Sequence, residues 1–516
     1  MSTGRTYYLT TPIYYVNDKP HIGHAYTTLA CDVLARFKRL DGYEVMFLTG
    51  TDEHGQKVEK AAAAAGEAPK AFCDRVSQSF RDLAQAMDVS NNDFIRTTEP
   101  RHIAACQAIW RRMVASGDIY LGAYEGWYAV RDEAYYGEDE LEKRADGKFY
   151  APSGAPVEWV REPSYFFRLS AWGDRLLKFY DDHPDFIAPQ SRRNEVVSFV
   201  KRGLNDLSIS RTSFKWGVLV PDDDAHIMYV WLDALTNYIS ALGFPDEGGK
   251  YAKYWPADLH MVGKDIVRFH TVYWPAFLLA AGLAPPKRVY AHGWWTIEGQ
   301  KMSKSLGNAI DPHSLIATYG LDQFRYFMVR EVPFGNDGDF AKQALVNRIN
   351  SELANGFGNL GLRTLSFIGK NCDGRVPEPG PLEADDRTLL AAAESVLGRM
   401  RPALDEQQFH VAIQAWVDVV NAANKYIDEQ APWTLRKTNT DRMKTVLWVL
   451  AETIRHLAIT AQPFVPGAAG KLLDQLGVSE AARGFSALGD GGALKAGTAL
   501  PAPQGVFPRF VDATAA

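Results

Sequence analysis
The chain opens on a short apolar run and then changes period. Tyr7-Tyr8-Leu9-Thr10 reads as a buried strand, broken into a loop by Pro12 and by Asn17-Asp18-Lys19-Pro20. Apolar residues then recur at Ile22, Tyr26, Leu29, Val33, Phe37 and Leu40, spacings of three and four that predict an amphipathic helix. Asp41-Gly42 closes it, and Glu44 to Thr49 is the next strand. This strand–helix–strand unit predicts a doubly wound sheet with its ligand at the carboxyl ends of the strands. Residues from about 55 to 115 read as helical, with Ala61 to Ala65 the clearest run.

Near Gly117 the texture changes. Tyr120 to Gly217 is rich in Tyr, Trp, Gly, Pro and charge, and reads as an inserted α+β module. Strands of the first kind return at His226 to Trp231, Leu259 to Val262 and Val289 to His292, with helices from about Asp233 to Leu242 and Asp265 to Ala281. Trp294 to Ile297 and the turn Glu298-Gly299-Gln300 lead into Lys301-Met302-Ser303-Lys304-Ser305. From about Asp311 the pattern is helical, with amphipathic segments near 340–370, 385–400, 406–430 and 440–462. Val376 to Pro381 links two of them, and Val506-Phe507-Pro508 is expected to return and pack. The fold class is thus an α/β Rossmann-like nucleotide-binding domain split by an α+β insertion, followed by an all-α helix bundle. The expected boundaries are 1–116 and 218–292 for the two halves of the nucleotide fold, 117–217 for the insertion, 293–340 for the lysine loop and its sequel, and 341–516 for the bundle.

Composition narrows the reading. A chain of 516 residues needs several cores. Its first residues lack the apolar core of a signal peptide, and no run approaches the ~20 apolar residues of a membrane span. Four scattered cysteines with no C-x-x-C pair suggest neither a disulfide framework nor a zinc knuckle, and they fit a cytoplasmic protein. A net charge of −6 excludes blanket nucleic-acid binding but leaves room for a local basic face.

Two stretches carry the candidate chemistry. His21, Gly23 and His24 fall at the N-terminus of the first predicted helix, where free N–H groups and the dipole favour phosphate. Lys301 and Lys304 lie on a glycine-bordered loop that can close over a nucleotide. On spacing alone the two histidines read better as a helix-capping or surface pair, and it is the lysine loop that puts the phosphate reading ahead. With Thr11 to Asn17, Leu48 to Gly55, Tyr229 to Ala234, Gly263 to Ile266 and Asp428 to Trp433, these words resemble the methionyl-tRNA synthetase family of class I aminoacyl-tRNA synthetases. The resemblance spans most of the chain.

The resemblance implies activation of methionine by ATP with Mg2+, then transfer to methionine tRNAs, elongator and initiator. It implies that His21, His24, Lys301 and Lys304 are catalytic and that Gly23, Lys264, Asp265 and Gly293 help to bind ATP. Ile13, Tyr15, Asp52, Trp231, Leu235, Tyr238, Ile266, Phe269, His270 and Trp274 would form the methionine pocket, with Asp52 on the α-amino group. Trp231, Leu235 and Tyr238 share a helical face, as do Ile266, Phe269, His270 and Trp274; such stripes are also what plain core looks like. Asn359, Arg363 and Trp433 match anticodon-reading positions, and Trp433 fits a buried core role equally well.

One departure stands out. Ala129 and Asp132 occupy positions where relatives carry a zinc-binding cysteine pair, so no metal ligand and no structural zinc are expected. Nor is the C-terminal domain that dimerises some relatives expected, which points to a monomer. An adenylyltransferase for a small metabolite would leave the bundle unexplained. A synthetase for isoleucine, leucine or valine would carry a larger insertion, and one for cysteine would show metal ligands. A regulatory descendant would have lost part of the His21, His24, Lys301 and Lys304 set.

Overall fold
The computed structural model describes residues 4–132, 134–297, 300–301 and 310–511. Its centre is a seven-stranded parallel sheet. β1 (Thr6–Thr10), β2 (Tyr14–Tyr15), β3 (Glu44–Asp52) and β4 (Asp93–Arg96) form one wing. Leu259–Gly263, Val289–His292 and Ile187–Ala188 form the other, in that order outward from β1. The order reverses at β1, so a crevice opens between the carboxyl ends of β1 and Leu259–Gly263. The helix α1 (Ile22–Leu40) follows β2 with Ile22, Tyr26, Leu29, Val33 and Phe37 buried and Leu40 partly buried, and its N-terminus faces that crevice.

Three details differ from the pattern of the sequence. The stretch from 55 to 115 holds β4 between its helices. Ile187–Ala188, within the expected insertion, joins the main sheet by pairing with Val289 and Tyr290. The strand expected at His226 to Trp231 ends at Met228 and pairs antiparallel with Ser210–Arg211 and Leu219–Val220, outside the parallel sheet. A short apolar run specifies a strand without specifying its partner.

The rest of the insertion is built on a long antiparallel pair, Ile119–Ala129 with Glu158–Phe167. At its tip Ala129, Ala151, Ala155 and Val157 make a separate small core. Asp132 closes the tip by accepting from the Tyr136 hydroxyl at 2.9 Å and from the Ser153 hydroxyl. Hydrogen bonds and small apolar side chains thus hold a loop that would otherwise need a cross-link.

The hairpin Trp295–Ile297 with Gln300–Lys301 lies parallel to Gly338–Phe340. Helices Ala384–Asp405, Phe409–Gln430 and Thr440–Ala461 lie close to the expected segments, whereas the segment expected at 340–370 is divided into the helix Lys342–Arg348, a π-helical stretch Ile349–Gly358 and the helix Asn359–Asn371, which joins the bundle. The tail does return: Phe507 is buried, and the Phe510 backbone exchanges hydrogen bonds with Asn350 at 2.8 and 3.0 Å.

One buried ion pair joins the sheet domain to the helical half. Asp32, in the middle of α1, accepts from Arg325 and Arg36 at 2.7 Å each, while its other oxygen accepts from the Ser90 N–H at 2.7 Å. Arg325, on helix Leu321–Arg330, also donates to the carbonyls of Met87 and Pro463 at 3.0 Å. Burial alone would push the Asp32 carboxyl up; Arg325 and Arg36 override it and hold it below the usual range. Arg325→Ala leaves that buried carboxylate short of a partner, a change that costs ~3–5 kcal/mol. Thermal unfolding should show a markedly lower Tm, and an unchanged Tm would contradict this role.

Candidate active site
A cleft of about 1690 Å³ opens across the carboxyl ends of the sheet. Its wall brings together His21, Gly23 and His24 from α1; Ile13, Tyr15 and Asp52 from β2 and β3; Trp231, Leu235 and Tyr238; Lys264, Asp265, Ile266, Phe269 and His270; and Gly293. Trp274 does not reach the wall: it is fully buried behind Tyr238, with ring centroids 6.1 Å apart. Lys304 and the side chain of Lys301 lie outside the described residues.

The two histidines do cap the helix, and capping fixes which ring nitrogen carries the proton. His21 is the N-cap of α1; its Nδ1 accepts from the Gly23 N–H, and the His24 Nδ1 accepts from the His21 N–H, both at 3.1 Å. A backbone N–H can only donate, so on the neutral rings the proton sits on Nε2. Each ring therefore offers an Nε2–H donor beside the positive end of a helix. Gly23 is required because a Cβ there would sit 2.9 Å from the His21 ring.

The apolar end of the cleft is a cage. Trp231 and Phe269 stack face to face, with centroids 3.7 Å apart and planes within 5°. The Tyr238 hydroxyl lies 2.6 Å from the His270 Nε2, and the His270 Nδ1 lies 3.0 Å from the Ile266 carbonyl. A carbonyl only accepts, so Nδ1 carries the proton and Nε2 accepts from the phenol. Burial pulls the imidazole down to about 4. The cage is therefore neutral near pH 7.

Phe269–Tyr273 is a π-turn rather than the expected unbroken α-helix. Pro275 has no N–H for the Thr271 carbonyl, which accepts instead from the Tyr180 hydroxyl at 2.6 Å. The wider turn carries Phe269 and His270 into the cleft.

At the polar end Lys264 pairs with Asp337 at 2.6 Å and lies 4.3 Å over the Trp294 ring. Asp337 also accepts from the Trp294 N–H at 2.8 Å. Gly293 permits this packing, since a Cβ there would meet the Asn336 carbonyl oxygen at 2.1 Å.

A second patch lies on the bundle. Asn359 and Arg363 follow one another along helix Asn359–Asn371, with Asn359 exposed and Arg363 half-buried. Arg363 pairs with Asp428 at 2.8 Å and lies 5.6 Å over the Trp433 ring. Trp433 is 42% exposed, so it is not core. Ala431 turns it outward by adopting a left-handed φ of 44°, a strained conformation for a residue with a Cβ.

Known proteins match this arrangement along its length. Residues 7–365 fit the sequence model of tRNA synthetases class I (M), and residues 376–516 fit the anticodon binding domain of methionyl tRNA ligase. A methionine–tRNA ligase of Mesorhizobium japonicum is 58% identical over 98% of both chains, and one of Rhizobium meliloti is 56% identical over the same share. The chain belongs to the methionyl-tRNA synthetase family. Membership makes it an enzyme, an ATP-dependent methionine–tRNA ligase. A Mycobacterium tuberculosis methionyl-tRNA synthetase in complex with methionyl-adenylate superposes with a TM-score of 0.96 at 53% identity, over 98% of this chain and 100% of that one.

Sequence reasoning missed two groups that shape this synthetase cleft. Asp337 sits in the turn-rich stretch Gly335 to Gly338, which carries no period. Trp294 stands next to Gly293, in the loop between the strands Val289–His292 and Trp295–Ile297, and nothing in the sequence sets it apart from Trp295 beside it.

The state of His270 is open to direct measurement. Its pKa in the folded protein lies below the ordinary 6.5, so the neutral ring's contribution to stability is present above 6.5 and is lost as pH falls toward about 4. In 15N NMR the neutral Nδ1–H tautomer should persist down to about pH 4. A titration midpoint near 6.5 would contradict the buried cage.

Proposed function
We propose that this cleft activates methionine by positioning and charge neutralisation alone. The methionine carboxylate attacks the α-phosphorus of ATP, which enters as its Mg2+ complex, and pyrophosphate leaves. No protein nucleophile is needed. The Nε2–H donors of His21 and His24 meet phosphate oxygens, Lys264 meets them from the facing strand end, and Lys301 and Lys304 close from the loop. Asp265 and Gly293 flank the nucleotide, and Gly23 keeps the His21 ring in place. Asp52 takes the α-ammonium group. Ile13, Tyr15, Trp231, Leu235, Tyr238, Ile266, Phe269 and His270 surround the thioether, whose sulfur gains from ring-edge contacts. Trp274 acts by backing Tyr238. The observation that carries this reading is one cleft with helix-terminal donors at one end and a neutral aromatic cage at the other.

The methionyl group then passes from the adenylate to a hydroxyl at the 3′ end of tRNA, forming an ester as AMP leaves. Trp433, Arg363 and Asn359 read the anticodon, Trp433 by stacking and the others by edge hydrogen bonds. Residues 341–516 act as the anticodon domain, 293–340 contact the tRNA stem, and 117–217 form the connecting module between the halves at 1–116 and 218–292. No described helix is long and apolar enough to cross a membrane. We place the enzyme in the cytoplasm as a monomer, since one chain carries both cleft and anticodon patch.

ATP–pyrophosphate exchange should depend on methionine, with far weaker signals from leucine and isoleucine; an equal signal from another amino acid would discard the assignment. Trp433→Ala should leave that exchange nearly unchanged while slowing tRNA charging roughly tenfold or more, because base stacking is worth ~1–3 kcal/mol. Equal losses in both reactions would sink the anticodon role.

The tip around Asp132 does not fit zinc. Asp132 is engaged by Tyr136 and Ser153, and Ala129 is buried among small apolar residues. Elemental analysis of the purified protein should find no stoichiometric zinc, and a value near one per chain would overturn this reading.

A further inference from the structure
The motifs around His54 and Asp233 meet behind the amino-acid cleft in a buried polar cluster. Asp233 is 0% exposed. One carboxylate oxygen lies 2.7 Å from the His54 Nδ1, and the other lies 2.7 Å from the His102 Nε2. The His102 Nδ1 lies 3.0 Å from the Ser240 hydroxyl. Cys106 Sγ is 3.2 Å from the His102 Nε2.

His102, Cys106 and Asp233 could be taken for metal ligands. The chemistry argues otherwise. The Cys106 Sγ is already engaged by the His102 Nε2 and by the Asp233 carbonyl at 3.7 Å. The imidazole and carboxylate bond each other directly at 2.7 Å. Burial pushes the Asp233 carboxyl up, but the two imidazoles override it and hold it at about 2, so it is ionised. An ionised carboxylate with no solvent access is a costly way to fill space. It does something an apolar residue cannot: it fixes three separate segments to one point, in one geometry.

The three segments matter. His54 is on the turn that follows Asp52 at the end of β3. That turn is anchored again at Glu53, whose carboxylate takes Arg96 at 2.6 and 3.0 Å. Asp233 lies between Trp231 and Leu235 on the short helix Val230–Leu235, one turn before Tyr238. His102 belongs to helix Pro100–Ala115, which touches no part of the cleft.

We propose that Asp233 is a positioning residue that sets the span between the Asp52 carboxylate and the Trp231–Tyr238 side of the cage, and so the side-chain length the enzyme accepts. His54 transmits the setting to the ammonium end, and His102 anchors the cluster to the body of the domain. This rests on the reading of Asp52 as the ammonium partner and of the aromatic cage as the thioether pocket.

The test is ATP–pyrophosphate exchange with methionine and with ethionine, one methylene longer. Asp233→Asn should raise the KM for methionine about tenfold, leave the KM for ATP within about twofold, and lower the preference for methionine over ethionine about fivefold. His54→Gln cuts only the link to the cleft and should reproduce both changes with a Tm near that of the parent. His102→Gln cuts only the anchor and should lower Tm more than His54→Gln does. If Asp233→Asn does not fold, His54→Gln decides. An unchanged methionine-to-ethionine ratio in His54→Gln, or a parallel rise in both KM values, would overturn the proposal. Asp52→Asn, measured alongside, separates the two ideas: if it leaves the KM for methionine unchanged, the ammonium reading fails first.

Discussion

Everything at the nucleotide end depends on where α1 is held. The helix carries His21 and His24 at its N-terminus, and its middle is pinned by the buried contact between Asp32 and Arg325. Arg325 belongs to the helical half of the chain and reaches the Pro463 carbonyl as well. The position of His21 and His24 is therefore set jointly by the sheet domain and by helices some three hundred residues later. A surface ion pair could not do this, because water would screen it and both side chains would wander. Two fully buried partners, each with further hydrogen bonds, have one arrangement.

The same economy recurs at finer scale. Backbone N–H groups at a helix start must find acceptors. In most helices a serine, threonine or aspartate supplies them. Two imidazoles supply them in α1, and the act of capping selects the tautomer with its proton on Nε2. His270 follows the same logic in reverse: the Ile266 carbonyl holds its proton on Nδ1, so that Nε2 can receive the Tyr238 hydroxyl.

The parts legible in the sequence were those where period and motif agreed. α1, β3 and the bundle helices have long apolar stripes that only one geometry can bury. His21 and His24 were legible as the start of the first helix and Asp52 as the end of a strand, while Lys264 and the pocket residues were reached through the family words they stand in. What was hidden was hidden for physical reasons. β4 has four residues and Ile187–Ala188 only two, too short for a period to register. His226 to Met228 reads as a strand, but nothing in it says which neighbour it pairs with. The stripe from Ile266 to Trp274 assumed 3.6 residues per turn, and the π-turn took Trp274 out of phase with the wall. Asp337 acts only through tertiary proximity to Lys264, which no local pattern encodes.

The π-turn has a further consequence, for how this part of the chain can change over evolutionary time. The turn holds one residue more than an α-helix would in the same rise. Deleting a single residue between Phe269 and Tyr273 would let the turn close into an α-helix, with the flanking turns keeping their phase and the residues inside the turn moving around the axis. Phe269 and His270 would leave the cleft together. Point substitutions along this helix alter one contact at a time, whereas a change of length moves every residue inside the turn at once. Lineages that descend from this architecture should therefore vary in residue identity across the segment while its length stays fixed.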